Sequence, residues 1–423
     1  MKKAFTFVSS AVPDDGSMPV SPGQPAIAHV LRRLTLGPTP GAIESLSETT
    51  PSELIRQLLD AAPLLVDPPE LTEDNEFDLP TSWWVSTMRH SDSGLHERMV
   101  WYWHGHLTSS IEKSSGWMIV DQHMLLRRHA LGNFREMLRE ITLDPAMLCW
   151  LDGSESDAEA PNENYARELM ELFALGRDSG AYTEADVAAG AKALAGYWVN
   201  EGNDNKVEFE SDGALSQPVQ FLGRLAQNVV EVIDIVCDHP ACARHIARRL
   251  HIEFVGAEPT PERLDQLAFV FRDNDLELLP LVEAIVTDSG FFDDAVPRHR
   301  SALEWFLAFE RLVDAELDTW IMEQMGQIPF YPPNVAGWPD PQRWASSGQL
   351  LAKAQTALNE SRNTEVLDAD DPVGDLLRRA CLPEISTETR AVLDQIVAST
   401  THRLELSDLL HATIALSPEF SQA

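Results

Sequence analysis

Apolar residues recurring at spacings of three and four, cut into short runs by residues that start or stop helices, constrain this chain more than any other feature. Leu31 to Leu36 stops at Gly37, Pro51-Ser52-Glu53 opens a run ending near Ala62, and Trp83 to His90 and Glu97 to Trp103 form two more short pieces. Trp117 to Leu131 is a longer helix ended by Gly132, after which Asn133 can cap Phe134 to Thr142. Asp144-Pro145, Asp238-His239-Pro240 and Ser417-Pro418 each follow a helical run and set a capping side chain beside a proline that fits a first helical turn. Asn162 caps Glu163 to Leu175, which Gly176 closes, and Thr183 with Asp186 resembles a capping box opening Glu184 to Tyr197. Helical patterning resumes from Ala226 to Cys237, Cys242 to Phe254, Pro261 to Arg272, Leu278 to Thr287 and Ser301 to Leu317. It continues in Gln349 to Leu358, Val373 to Cys381, Glu388 to Ala398 and Leu406 to Leu416.

Two stretches depart from this pattern. Trp198 to Asn200 and Val207 to Glu210 flank Gly202-Asn203-Asp204-Asn205, which predicts a β-hairpin. Gly326 to Trp344 carries Pro329, Pro332, Pro333, Pro339 and Pro341 and cannot be helical. Its Phe330, Tyr331, Trp338 and Trp344 require an ordered loop that covers them. The expected fold is therefore all-α: a large multi-helical protein with one minor β-hairpin near 198–210 and an ordered Pro/Trp-rich loop near 326–344. The expected organisation is a flexible tail over 1–24, a helical half over 25–200, a hairpin and linker over 201–220, and a second helical half over 221–423. The two halves can equally form one continuous domain.

Charge narrows the partners. The 423 residues carry a formal charge of -35, which repels nucleic-acid phosphate and anionic lipid headgroups. No nucleic acid is expected as a partner. No run reaches the roughly 18 to 20 apolar residues of a membrane helix, so membrane insertion is not expected either. The four cysteines, Cys149, Cys237, Cys242 and Cys381, have neither C-x-x-C nor zinc-ribbon spacing and read as small buried hydrophobes. Met1-Lys2-Lys3 and the apolar stretch to Val12 run into Pro13-Asp14-Asp15 without a small-x-small cleavage site, which favours a cytoplasmic location.

Walker, G-x-G-x-x-G, G-x-S-x-G and H-E-x-x-H signatures do not occur. Asp273-Asn274-Asp275 with Glu277 begins like a calcium loop but lacks its glycine and distal glutamate, and reads as a solvated helix end. The densest polar and aromatic stretch is Trp101-Tyr102-Trp103-His104-Gly105-His106-Leu107-Thr108. If Gly105 breaks the helix, His104 and His106 point to one side and could bind zinc or iron, with carboxylates from another helix completing the site. The structural reading is that one imidazole bonds a carbonyl at a helix end while the tryptophans pack in the core. His129 falls on the face of Leu125 and Leu126, and a structural role is favoured for it as well. The second stretch runs from Pro161 to Leu172. At 100° per residue it places Glu163, Asn164, Arg167, Glu168 and Glu171 on one arc and Tyr165, Leu169, Met170, Leu172 and Phe173 on the other. Arg167 reaches Glu163 and Glu171 at four-residue spacing, which leaves Glu168 as the better candidate for acid or metal ligand. Periodicity alone makes this an ordinary amphipathic helix.

These strings, with Arg128 to Phe134, Pro145-Ala146-Met147-Leu148, Leu151-Asp152, Asn162 to Leu169, Tyr182 to Val187 and Gly337-Trp338-Pro339, resemble in order the domain-of-unknown-function 1800 family of bacterial proteins. The resemblance runs from about residue 26 to the carboxyl end. It implies that the polar stretches are a family fingerprint, and it implies no established activity. Family members often have histidine in place of Phe173 and a His-Asp pair where this chain has Ser211-Asp212. A metal site that relied on those histidines is absent or altered here. Many members look exported, which is the alternative to a cytoplasmic location.

Three functions follow as expectations. The first is a hydrolase-type enzyme whose helical cleft gathers Glu168, His129, Asp152 and Arg167 as catalytic residues, with His104, His106 and Glu168 on a divalent transition metal. The second is a non-catalytic binding or assembly protein in which the fingerprint is a hydrogen-bond network and the tryptophans line a groove for a small molecule or protein. A weaker third is a glycan-active or glycan-binding protein that stacks sugars on tryptophans.

Overall fold

A computed structural model describes residues 23–422 apart from 91–93, 204, 294, 340–343, 363, 365–366 and 369. The expected 1–24 tail lies almost wholly outside the described residues. Within them the chain forms 21 α-helices and two small antiparallel strand pairs. Punctuation residues act as their chemistry dictates. Thr50 with Glu53 and Thr183 with Asp186 form capping boxes, and Asn133, Asp144 and Asn228 accept N–H bonds from their own first turns. Before Pro240 the cap is His239, whose Nδ1 accepts from Ala241 N at 3.2 Å. Ser417-Pro418 opens a turn, with Ser417 Oγ accepting from Phe420 N.

The expected hairpin pairs Tyr197–Asn200 with Lys206–Phe209, Trp198 facing Glu208. A second pair, Val219–Phe221 with Arg224–Ala226, turns at Leu222 and Gly223, both in the left-handed region (φ 46° and 77°). That is the type I′ conformation, usually written with Asn or Asp at its first central position. Leu222 holds it because its N–H donates to Asp186 Oδ1 at 2.9 Å, so a helix cap secures the turn.

One apolar cluster draws buried side chains from Ile27 to Cys381, taking residues on both sides of the 201–220 segment. A second cluster joins Ala302 to Phe420 around Trp305, Phe309, Leu410 and Ile414. Among the described residues no helix is long and apolar enough to cross a membrane.

The helix Gly94–His106 runs through the middle of the first cluster, and every residue of it except Gly105 is buried. Its neighbours are tied to it by polar bonds. Glu97 takes both Nη atoms of Arg127 at 2.8 Å and Trp84 Nε1 at 2.7 Å, and Arg98 lies between Glu304 and Glu253. The Pro/Trp-rich loop closes over the end of this helix. Phe330 sits in the left-handed region (φ 70°) with its ring buried, Thr108 Oγ1 donates to Val335 O at 2.8 Å, and Trp338 stacks on Trp101 at 5.4 Å. Gly337 (φ 75°) approaches the Gly105 carbonyl so closely that an added Cβ would lie 2.4 Å from that oxygen. Gly337→Ala is therefore expected to destabilise the protein by roughly 2 kcal/mol or more, from left-handed strain plus a clash with backbone. Urea denaturation measures this, and an unchanged midpoint would show that the loop seats elsewhere.

Candidate functional site

The helix Gly94–His106 passes through Gly105 unbroken, so side chains two residues apart leave it on opposite sides. His104 points among Trp84, Trp101, Phe330 and Trp338, with ring centroids 5.0–5.9 Å away. Its Nε2 accepts the Phe330 N–H at 3.0 Å, which makes the ring neutral with its proton on Nδ1. Burial pushes its pKa down to about 3. His106 points the other way, beside Tyr102 and Trp103, and its Nε2–H donates to Phe173 O at 2.9 Å. Burial, with help from Arg249 and His245, holds His106 well below the ordinary imidazole value.

Phe173 belongs to the second candidate stretch. Asn162 Oδ1 accepts from Asn164 N at 2.9 Å and starts the helix Asn164–Glu168, which widens into a π-helical turn over Leu169–Ala174. π turns concentrate at functional sites because they re-aim side chains. This one ends at Gly176 (φ 87°), where the last carbonyls have no N–H ahead of them. Two imidazoles replace the missing donors: His106 on Phe173 O and His245 Nε2 on Leu172 O, also at 2.9 Å. Gly176 is required there, since a Cβ would lie 2.8 Å from His245 Nδ1.

The inner face of this segment buries Tyr165, Ala166, Leu169, Met170 and Phe173, and Tyr165 shares a 2.6 Å hydrogen bond with Thr142. On the outer face Arg167 Nη2 bonds Glu163 at 3.0 Å and Glu184 at 2.9 Å, and Nη1 lies 3.7 Å from Glu171. Arg177 Nε donates to Glu171 at 2.9 Å. Glu168 differs from these acids. It is half-buried, its Oε2 is buried with no hydrogen-bond partner, and desolvation with the neighbouring Glu171 charge raises its pKa against the pull of Arg177 and Arg167.

The remaining candidates lie in ordinary pairs. His129 Nε2 and Arg128 both bind the Glu140 carboxylate at 2.9 Å. Asp152, in the left-handed region (φ 55°), takes Lys113 at 3.0 Å and Asn164 Nδ2 at 3.2 Å. The expected common hollow does not form. His104 and His106 are separated by the body of their own helix and each bonds a backbone group, while His129 is hydrogen-bonded to Glu140 and Asp152 is paired with Lys113. Arg167 and Glu168 alone are neighbours, by chain order.

The metal expectation gains no support from the same geometry. A shared ion needs His104 and His106 on one side with free nitrogens, and the unbroken helix denies the first while Phe330 N–H and Phe173 O take up one nitrogen of each. Among the described residues no three His, Cys, Asp or Glu side chains converge in a way that could hold a metal ion. Five of the eleven tryptophans cannot line a groove: Trp84, Trp103 and Trp305 are fully buried and Trp101 and Trp344 nearly so, while Trp117 and Trp198 are exposed.

The string around Gly132 is a joint between the halves of the chain. Trp103 Nε1 donates to Ala130 O at 2.9 Å, Phe134 N to Leu276 O at 3.0 Å, and Leu278 N to Gly132 O at 2.9 Å. Asn133 caps its helix with Oδ1 and donates from Nδ2 to Asp275 O and Glu277. The Asp273–Glu277 stretch is thus the receiving side of this joint. Sequence reasoning missed His245, His96 and His123. His96 bonds Arg127 O at 2.8 Å, and both His123 nitrogens are buried without partners beside Trp83, Trp84 and Phe330. Each of the three sits on a helix with apolar neighbours, and no local motif marks them.

Fold and site together define a mostly α-helical protein whose polar signature strings meet around the end of one buried helix and one π turn. Over residues 29–422 the chain matches the model of the family described as "Protein of unknown function (DUF1800)", and it belongs to that family. Among curated proteins and solved structures no match is found.

The buried neutral imidazoles make acid sensitivity a direct expectation. Burial lowers His104 to about 3 and His29 and His245 to about 4, and holds His106 and His123 well below their ordinary value of 6.5. Below about pH 6.5 the unfolded chain binds protons that the folded chain refuses, so stability falls as pH drops toward 3–4. Each such imidazole costs about 2 kcal/mol near pH 5. Asp144 and Glu310, raised by burial to about 7, act in the opposite sense, because their contribution is lost as pH rises through 7. The imidazoles outnumber them. Denaturation free energies are expected to fall from about pH 6.5 to about pH 4, and His123→Phe is expected to flatten that slope. An unchanged slope in the variant would mean that His123 is charged in the folded protein.

Proposed function

We propose that the family fingerprint divides into a scaffold and a proton-handling group, and that Glu168 is the working acid or base of a hydrolase-type site on the π turn. One observation supports this reading above others: alone among the acids of its helix, Glu168 has a buried, unpartnered carboxyl oxygen and a pKa held above the usual carboxylate range. A carboxyl of this kind keeps its proton more readily than its ion-paired neighbours, so it can give a proton to a leaving group or, once ionised, take one from water. Arg167 fixes Glu163 and Glu184, Arg177 fixes Glu171, and Tyr182 packs beside them with its own pKa raised by burial and by Glu171. Arg167 and Asp152 would then be positioning residues, and His104, His106 and His129 scaffold.

A second reading is favoured by the histidines. The backbone bonds of His104, His106, His96 and His245 are what a non-catalytic binding or assembly protein needs to set its helices, and such a protein has no use for an unpartnered buried carboxyl. The glycan reading finds no support in buried tryptophans.

Glu168→Gln separates the two. For an acid–base group the variant should melt at the same temperature as the wild type or higher, because a half-buried unpaired carboxyl disfavours folding. It should also lose about 100-fold or more of any hydrolysis found on a panel of chromogenic esters, phosphates and glycosides. A melting temperature lowered by several degrees would assign Glu168 to the scaffold.

A further inference from the structure

The interior of this acidic protein contains cations that no carboxylate meets. Arg300 is 3% exposed and Lys353 4% exposed. Among the described residues neither side chain makes an ion pair or a hydrogen bond within the protein, and Arg300 Nη1 is buried without any acceptor. The Arg300 guanidinium lies over the Phe420 ring at 4.9 Å and the Lys353 ammonium faces the Trp305 ring at 5.8 Å. Those two rings meet edge to face at 6.4 Å, so each cation lies against one ring of a single aromatic pair, and the charge of Arg300 is felt at Lys353. Aromatic faces attract cations but accept no conventional hydrogen bond, and a buried guanidinium has five N–H groups to satisfy.

The acid that both cations feel cannot serve. Glu304 acts on both cations through space, but its oxygens are taken by Arg98, Arg298 and the Ser301 N–H. Arg32 adds a third positive charge near Arg300, and its Nε is also without a partner. Burial with repulsion from Arg32 lowers Arg300 to about 9, and burial with repulsion from Arg300 lowers Lys353 to about 8, yet both remain cationic at neutral pH. Removing charge from water without a counter-charge is strongly unfavourable, and among the described residues no carboxylate pairs with either cation.

We propose that Arg300 and Lys353 hold one small tetrahedral oxyanion, of the phosphate or sulfate class, where the helices Ala302–Val313 and Ser347–Glu360 meet the segment Ser417–Gln422. An arginine fork and a lysine point charge together suit three or four oxygens on one centre. Near-complete burial selects a free ion over a phosphate group carried on a larger molecule. His299 and Arg300 pair with Ser421 and Gln422 along the backbone, so the ion would also stabilise the seat of the last described residues.

The test uses the full chain dialysed into chloride buffer and titrated with inorganic phosphate. Expected are one phosphate bound per chain by calorimetry and a melting temperature that rises with phosphate but not with sodium chloride of equal ionic strength. Lys353→Met should weaken phosphate binding about tenfold or more, while Lys353→Arg should keep it. In chloride alone Lys353→Met should be no less stable than the wild type, since it removes an uncompensated charge. Absence of bound phosphate on the wild type, or undiminished affinity in Lys353→Met, would overturn the proposal. If Lys353→Met does not fold, the wild-type calorimetry and Lys353→Arg decide. Binding of phenyl phosphate as tight as that of inorganic phosphate would overturn the assignment to a free ion.

Discussion

The buried guanidinium of Arg98 sets the frame on which the rest depends. The helix that carries it is enclosed on all sides, so it has no apolar stripe to choose a face, and hydrophobic burial alone leaves its rotation undetermined. Polar partners choose instead. Arg98 is fully buried between Glu253 of the helix Pro240–Val255 and Glu304 of the helix Ala302–Val313, while Glu97, one residue earlier, binds Arg127 on the helix Gly116–His129. A guanidinium and carboxylates buried in this way cost far less together than apart, so another rotation that separated Arg98 from Glu253 and Glu304 would be strongly disfavoured. With the rotation set, His104 must face the Pro/Trp-rich loop and His106 must face the end of the π turn.

The signature strings of the family then acquire mechanical meaning. His104 holds Phe330 in a left-handed conformation through its N–H, His106 and His245 finish a helix end that has run out of donors, and Asn133 joins the two halves of the chain. These contacts commit one ring nitrogen of each of these histidines to backbone. Glu168 is the exception, because the π turn begins immediately after it and the ion pairs around it leave it out.

Much of the local structure was legible because its causes are local. Capping boxes at Thr50 and Thr183, the Asn133 and Asp144 caps and the hairpin near 198–210 rest on bonds within a few residues. The Leu222–Gly223 hairpin was not legible, because a leucine in the left-handed region is held by a distant aspartate. The break expected at Gly105 failed for a similar reason. Glycine permits a bend, but the enclosing helices and the seated Gly337 loop favour a continuous helix.

For the site, helical periodicity separated Tyr165, Leu169 and Phe173 from the charged arc and left Glu168 outside the reach of paired Arg167. Side-chain identity and spacing therefore determined the helices, their ends and which acid of this helix stood apart, since all three are set by contacts within a turn or two. Only the tertiary structure decided that the two signature histidines part company, that each binds backbone, and that Arg300 and Lys353 share a buried place without an acid. Those outcomes depend on which surfaces meet across hundreds of residues, and no local pattern encodes the desolvation and pairing that such meetings impose.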